Sequence, residues 1–135
     1  MILSQKQILK KCNYDLTCNV SASGITIKHP WDKDLYVFDP KDIGNFNKVK
    51  GCIGRIILKK ICEDNNYPYK WTFLEGEIDQ DNLTTLCEDF IENGVKREHL
   101  QLAEECNLKE EFSIISNFYF NIDKYIGTTK LRKTN

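Results

Sequence analysis

Two histidines, His29 and His99, and six cysteines, Cys12, Cys18, Cys52, Cys62, Cys87 and Cys106, are the side chains best suited to acid–base, nucleophilic or metal chemistry. The cysteines contain no C-x-x-C pair, and the closest two, Cys12 and Cys18, are separated by five residues. Zinc ribbons and thioredoxin-type sites need two thiolates at short spacing, so neither is expected. We expect buried, reduced thiols that act as small hydrophobes. An even count also permits a disulfide framework, but the N-terminal run from Met1 to Gln7 is too polar for a secretory signal. A reducing, cytoplasmic setting follows.

Neither histidine has a partner at a motif spacing. His99 sits in Lys96-Arg97-Glu98-His99, which reads as an exposed helix face. His29 ends a predicted strand beside Pro30-Trp31-Asp32, and a turn there would make His29 and Asp32 an acid–base couple. The chain has no G-x-x-x-x-G-K-S/T, G-x-S-x-G or H-E-x-x-H. An enzyme using one of the histidines is therefore the third choice, and no cofactor or metal is expected.

Three local patterns resemble known motifs. Gly51-Cys52-Ile53-Gly54 ahead of an apolar helix resembles the G-x-x-G loop of KH domains, which implies backbone contact with an RNA strand. Its two central residues belong to the helix's apolar stripe, unlike the small or basic pair of those loops. Leu100 to Leu108, running into Phe112 to Ser116, resembles a helix-turn-helix core. Its second helix opens with Lys109-Glu110-Glu111, whose carboxylates would repel phosphate. Glu77, Asp79, Asp81 and Glu88 match four ligand positions of an EF-hand loop, with Asn82 where that loop has glycine.

Charge is unevenly spread along the chain. Glu75, Glu77, Asp79, Asp81, Glu88, Asp89 and Glu92 follow one another with no lysine or arginine between Glu75 and Glu92. Basic residues gather elsewhere: at Lys10 and Lys11, from Lys48 to Lys60, and in the tail at Lys130, Arg132 and Lys133. The net charge is only -1, so bulk electrostatics drive the chain toward neither nucleic acid nor anionic lipid. A local acidic patch can still steer a basic partner.

The elements that would carry these residues read as α+β. Ser4 and Gln7 have capping-box spacing, which predicts a short helix to about Lys11. Asp15–Val20, Gly24–His29 and Asp34–Phe38 are β-branched, aromatic runs between turn residues, which predicts a three-stranded antiparallel meander. Val49, Cys52, Ile53, Ile56, Ile57 and Ile61 form one stripe of a helix over Phe46–Asp64, with Arg55 and Lys59 on other faces. Tyr69–Leu74 reads as a fourth strand, which would put Tyr69 and Trp71 on one face. Helices are expected from Asp81 to Asn93, closed by Gly94, and from about Lys96 to Cys106, with Leu100 and Ala103 inward. A third is expected after Asn107 and Glu110, at another capping-box spacing. Its stripe runs through Leu108, Phe112, Ile115, Tyr119, Ile122 and Ile126, with a strand over Phe112–Phe120 as the competing assignment.

At 135 residues, 41% hydrophobic and 29% charged, the chain suits one globular domain with a fraying end at about 128–135. No apolar run approaches the ~20 residues of a membrane span. The function expected is non-catalytic protein binding of the inhibitor, antitoxin or immunity-protein kind. An acidic face would mask a basic toxin or nuclease, with Tyr69 and Trp71 as aromatic anchors. A nucleic-acid binder using the basic helix around Lys48, Lys50, Arg55, Lys59 and Lys60 is the second choice.

Overall fold

The computed structural model describes residues 8–12, 16–21, 23–28, 34–69, 71–73, 82–126 and 130–133. Strand alternation is plain in Thr17–Ser21 (β2) and Gly24–Lys28 (β3), where Cys18, Val20, Ile25 and Ile27 are buried and their neighbours are not. That period of two is what a sheet with one covered face requires. Asp34–Phe38 (β4) completes the predicted meander.

Three further strands extend it. Ile8–Cys12 (β1) pairs antiparallel with β2, and Trp71–Phe73 (β5) pairs with β1. Lys130–Lys133 (β6) pairs with β4. The sheet is six-stranded, in the order β5-β1-β2-β3-β4-β6, and antiparallel throughout. The N-terminal helix is therefore corrected: Ile8 to Cys12 are extended. A capping-box spacing is a local preference, and pairing on both sides with β2 and β5 overrides it. Four residues of the segment expected to fray, Lys130–Lys133, form an edge strand.

Phe46–Asp64 (α1) has the predicted bounds, and every predicted stripe residue is buried. Its position differs from that of a helix lying on a sheet with its back to solvent. All residues from Cys52 to Leu58 are buried. A helix buried all round is a central helix. The sheet covers one side of α1 through β2 and β3, and Asn82–Asn93 (α2) and Lys109–Phe120 (α4) cover the other. Between these two lies Arg97–Glu105 (α3), and Ile122–Ile126 (α5) follows α4. The fold is α+β.

Two glycines act as the local chemistry dictates. Gly94 closes α2 at φ +81°, donating its N–H to the Phe90 carbonyl at 2.8 Å. Gly54 faces β2, where an added Cβ would lie 2.8 Å from Val20 Cγ2 and 3.2 Å from Cys18 Sγ. The G-x-x-G pattern is thus a packing contact, with Cys52 and Ile53 in the core. Cys18, Cys52, Cys62 and Cys87 are buried thiols. The Cys87 thiol lies 3.7 Å from the Cys52 carbonyl oxygen. Burial first, and then its hydrogen bond to Cys52, push the Cys87 thiol well above its ordinary range, so it stays protonated.

The C-terminal helices confirm helix over Phe112–Phe120. Leu83, Leu86, Cys87, Phe90 and Ile91 are buried on α2 as predicted. Asn107, at φ 58°, makes the left-handed turn between α3 and α4, and the Leu108 N–H bonds the Ala103 carbonyl at 2.8 Å. The stripes need three corrections. On α3 the buried pair is His99 and Ala103, while Leu100 is 43% exposed. On α4 Phe118 is buried and Tyr119 only partly so, because the helix breaks at Asn121 before α5. The N-cap of α4 is Leu108 without a side-chain bond, and Glu110 instead accepts from Asn45 Nδ2 at 2.8 Å.

Candidate interaction surface

The helices α2 to α5 pack against α1 and against one another, with Phe118 of α4 also meeting Phe38 of β4 at 5.6 Å between ring centroids, and they carry the acidity. Between Asn82 and Ile126 there are nine carboxylates against four lysines and arginines, and α2 itself has no basic residue. Of the seven acidic residues named from sequence, Glu88, Asp89 and Glu92 lie on α2. Glu75, Glu77, Asp79 and Asp81 fall outside the described residues.

Glu88 is partly a structural residue. Its Oε1 accepts from Arg55 Nε at 3.2 Å. Arg55 is completely buried on the central helix, and its charge must be met by groups packed against α1. This corrects the placement of Arg55 on a solvent face. It also engages the residue at the final ligand position of the EF-hand-like spacing. Among the described residues, no group of three or more His, Cys, Asp or Glu side chains is arranged to hold a metal ion.

Asp89 is exposed but firmly held. Asn93 Nδ2 donates to its Oδ1 at 2.9 Å, and the His99 Nε2 is bonded to its Oδ2. His99 is buried, which corrects its assignment to an exposed face. Its Nδ1 accepts the Lys96 backbone N–H at 2.9 Å, so the imidazole caps α3 from inside the first turn. With Nδ1 accepting, the Nε2 proton points at Asp89, and one histidine ties the start of α3 to the middle of α2. Both ring nitrogens are committed to the fold. His29 and Asp32 lie outside the described residues.

The His99 hydrogen bond first, and the Asn93 amide second, hold the Asp89 carboxyl below its usual range. A folded-state pKa below the unfolded one adds stability above the unfolded value, about 3.9, and loses it as pH falls through the folded one. We expect the stability of Asp89→Asn to vary less with pH than that of the native chain below about pH 4. Urea unfolding of both proteins across that range checks this, and parallel pH profiles would refute it.

Glu92 on α2 and Glu98 and Glu105 on α3 are exposed and make no ion pair among the described residues. The same layer exposes apolar groups: Leu100, Leu102 at 46% and Phe120 at 68%. Sequence reading missed these. On α3 the signal was the His99–Ala103 spacing, which leaves both leucines to either side of the buried stripe. Tyr69, named as an anchor, is partly buried, with Lys59 Nζ 5.4 Å from its ring centroid. Trp71 opens β5 opposite Cys12, and Tyr69 precedes that strand.

A shallow cleft of about 250 Å³ lies between α1, α2, α4 and α5, floored by Ile56, Ile91, Tyr119 and Ile122. Its lysines are paired: Lys59 with Glu63 at 2.8 Å, and Lys60 with Asp64 at 3.4 Å and Asp123 at 3.3 Å. With Arg55 buried as well, Lys48 and Lys50 are the cations of α1 that make no ion pair among the described residues. Among the described residues no helix is long and apolar enough to cross a membrane. Comparison of the chain with family models, with curated proteins and with solved structures returns no match.

Proposed function

We propose that the chain is a non-catalytic binding protein whose outer helical layer masks a basic protein, in the manner of an inhibitor or immunity protein. The observation that carries this is the combination on α2 and α3 of carboxylates with large exposed apolar side chains. Asp89, Glu92, Glu98 and Glu105 accompany Leu100 and Leu102. Protein interfaces combine a few apolar anchors with a charged rim that steers and orients the partner. Asp89 is held by two hydrogen bonds, so it loses little freedom on binding. The cytoplasmic setting belongs to the same reading, supported by the buried free thiols.

The test begins with the tagged protein purified from its own cell and the identification of a basic partner. Association kinetics of that pair are then measured at several salt concentrations. Glu92→Lys, Glu98→Lys and Glu105→Lys together should slow association about 10- to 100-fold at low salt and change dissociation much less. An unchanged on-rate would remove the acidic layer from the interface. Glu88 is left intact because it serves Arg55.

A further inference from the structure

The cleft between α1, α2, α4 and α5 and the exposed ring of Phe120 lie side by side. Phe120 is two residues past the buried Phe118, so it leaves α4 on nearly the opposite side from that ring. It is 68% exposed and stands at the edge of the cleft, edge-on to Tyr119 at 5.6 Å between centroids. The floor is apolar, formed by Ile56, Ile91, Tyr119 and Ile122. At about 250 Å³ the cleft has room for a phenyl ring, since a cavity of about 150 Å³ takes benzene. Lys59, Lys60 and Glu63 on the α1 wall keep part of their side chains in solvent, so the cleft opens outward.

A single exposed aromatic needs no explanation. Here an apolar knob borders an apolar hole, and the charges around them choose the occupant. The rim is mixed in sign: Lys59 pairs with Glu63, and Lys60 with Asp64 and Asp123. Two cations against three carboxylates leave little net field, so the patch can meet a copy of itself without strong repulsion. The other exposed apolar pair, Leu100 and Leu102, differs. It shares α3 with exposed Glu98, Glu104 and Glu105 against Arg97 alone, so a second copy laid there would be repelled. Knob and hole also share one face. A knob on one face and a hole on another give head-to-tail chains, whereas adjacent ones close a pair about a two-fold axis.

We propose that this face is a contact between two copies of the chain, in which Phe120 of each copy enters the cleft of the other. Two-fold symmetry makes both insertions at once and sets each mixed-sign rim against its counterpart. A contact built on one ring per copy is small, so association is weak, with a dissociation constant of roughly 10–100 µM. No residue of α3 lines the cleft, so the contact is independent of the masking surface proposed above.

Sedimentation equilibrium of the full chain from about 5 to about 500 µM tests this, and should show monomer and dimer without larger species. Phe120→Ala removes both knobs and should weaken the dimer at least about 30-fold. Glu63→Lys with Asp123→Lys makes one rim cationic, and Lys59→Glu with Lys60→Glu makes another acidic. Each pair of changes should weaken self-association at least about 10-fold, and a mixture of the two variants should form a heterodimer. Circular dichroism confirms that all three variants fold. A chain still monomeric at about 1 mM overturns the proposal, as does a dimer that Phe120→Ala leaves unchanged. Dimerisation lost in Leu100→Ser with Leu102→Ser, and not in Phe120→Ala, would place the contact on α3 and refute this one. A monomer whose Ile91 and Ile122 methyl resonances shift on titration with phenol would make the cleft a small-molecule site and refute it equally. The masking reading is tested by on-rates at Glu92, Glu98 and Glu105, so the two proposals fail separately.

Discussion

Phe90→Ala is expected to cost about 3–5 kcal/mol of folding stability. Phe90 is fully buried on α2, and its ring meets three others. The centroids lie 5.2 Å from Tyr119, 6.0 Å from Phe112 and 6.4 Å from the His99 imidazole, the last edge to face. Two of these partners belong to α4 and one to α3, so a single side chain holds the three helices together. Truncation loses the ring's transfer energy and leaves a cavity that rigid helices cannot close. Urea unfolding of the variant should show a lower midpoint with an unchanged slope. A loss below about 1 kcal/mol would mean that the helices do not converge on this ring. The cavity would also loosen His99, so the Asp89 pH effect should shrink in the same variant.

The second large effect is expected at Gly54. Alanine in a helix interior normally gains up to about 1 kcal/mol over glycine. Here the added methyl would lie 2.8 Å from Val20 Cγ2. Val20 is fully buried, and valine is stiff at χ1, so it cannot swing aside. Overpacking of this kind costs about 1–3 kcal/mol, which reverses the propensity gain. Gly54→Ala should therefore destabilise, and Gly54→Val should do so further, because its branches reach toward Cys18 as well. Thermal and urea unfolding of both variants checks the order. A stabilised Gly54→Ala would show that α1 stands farther from β2 than described. Gly51 provides the contrast: its added Cβ would meet only Arg55 Nη1, at 3.4 Å.

The elements themselves were legible where the signal was local. The bounds of α1, the start and end of α2 within a residue, and all four predicted strands, the fourth shortened to Trp71–Phe73, follow from side-chain period and from Asn, Gly and Pro at the ends. The interaction surface was less so. The lack of basic residues on α2 is written in its composition, yet Glu88 reads as another surface acid until Arg55 is seen buried beside it. Leu100 and Leu102 look like core residues in a list, and His99 looks like a surface one. A nine-residue helix has room for one narrow buried stripe, and the neighbours packed against it choose which residues fill it.

Sequence alone thus determined fold class, the extents of α1, α2 and α3 and the uneven distribution of charge, because each depends on residues a few positions apart. Tertiary structure decided what those charges face. Ile8 to Cys12 became a strand only because β2 and β5 lie on either side. Burial of Arg55 required α2 and α4 to close over α1. Lys11, Lys28 and Arg132 share a row only through the register of five strands drawn from both ends of the chain. A shift of one residue in any pairing would send a strand's whole set of side chains to the opposite face. Such long-range alignment leaves no local pattern in the sequence.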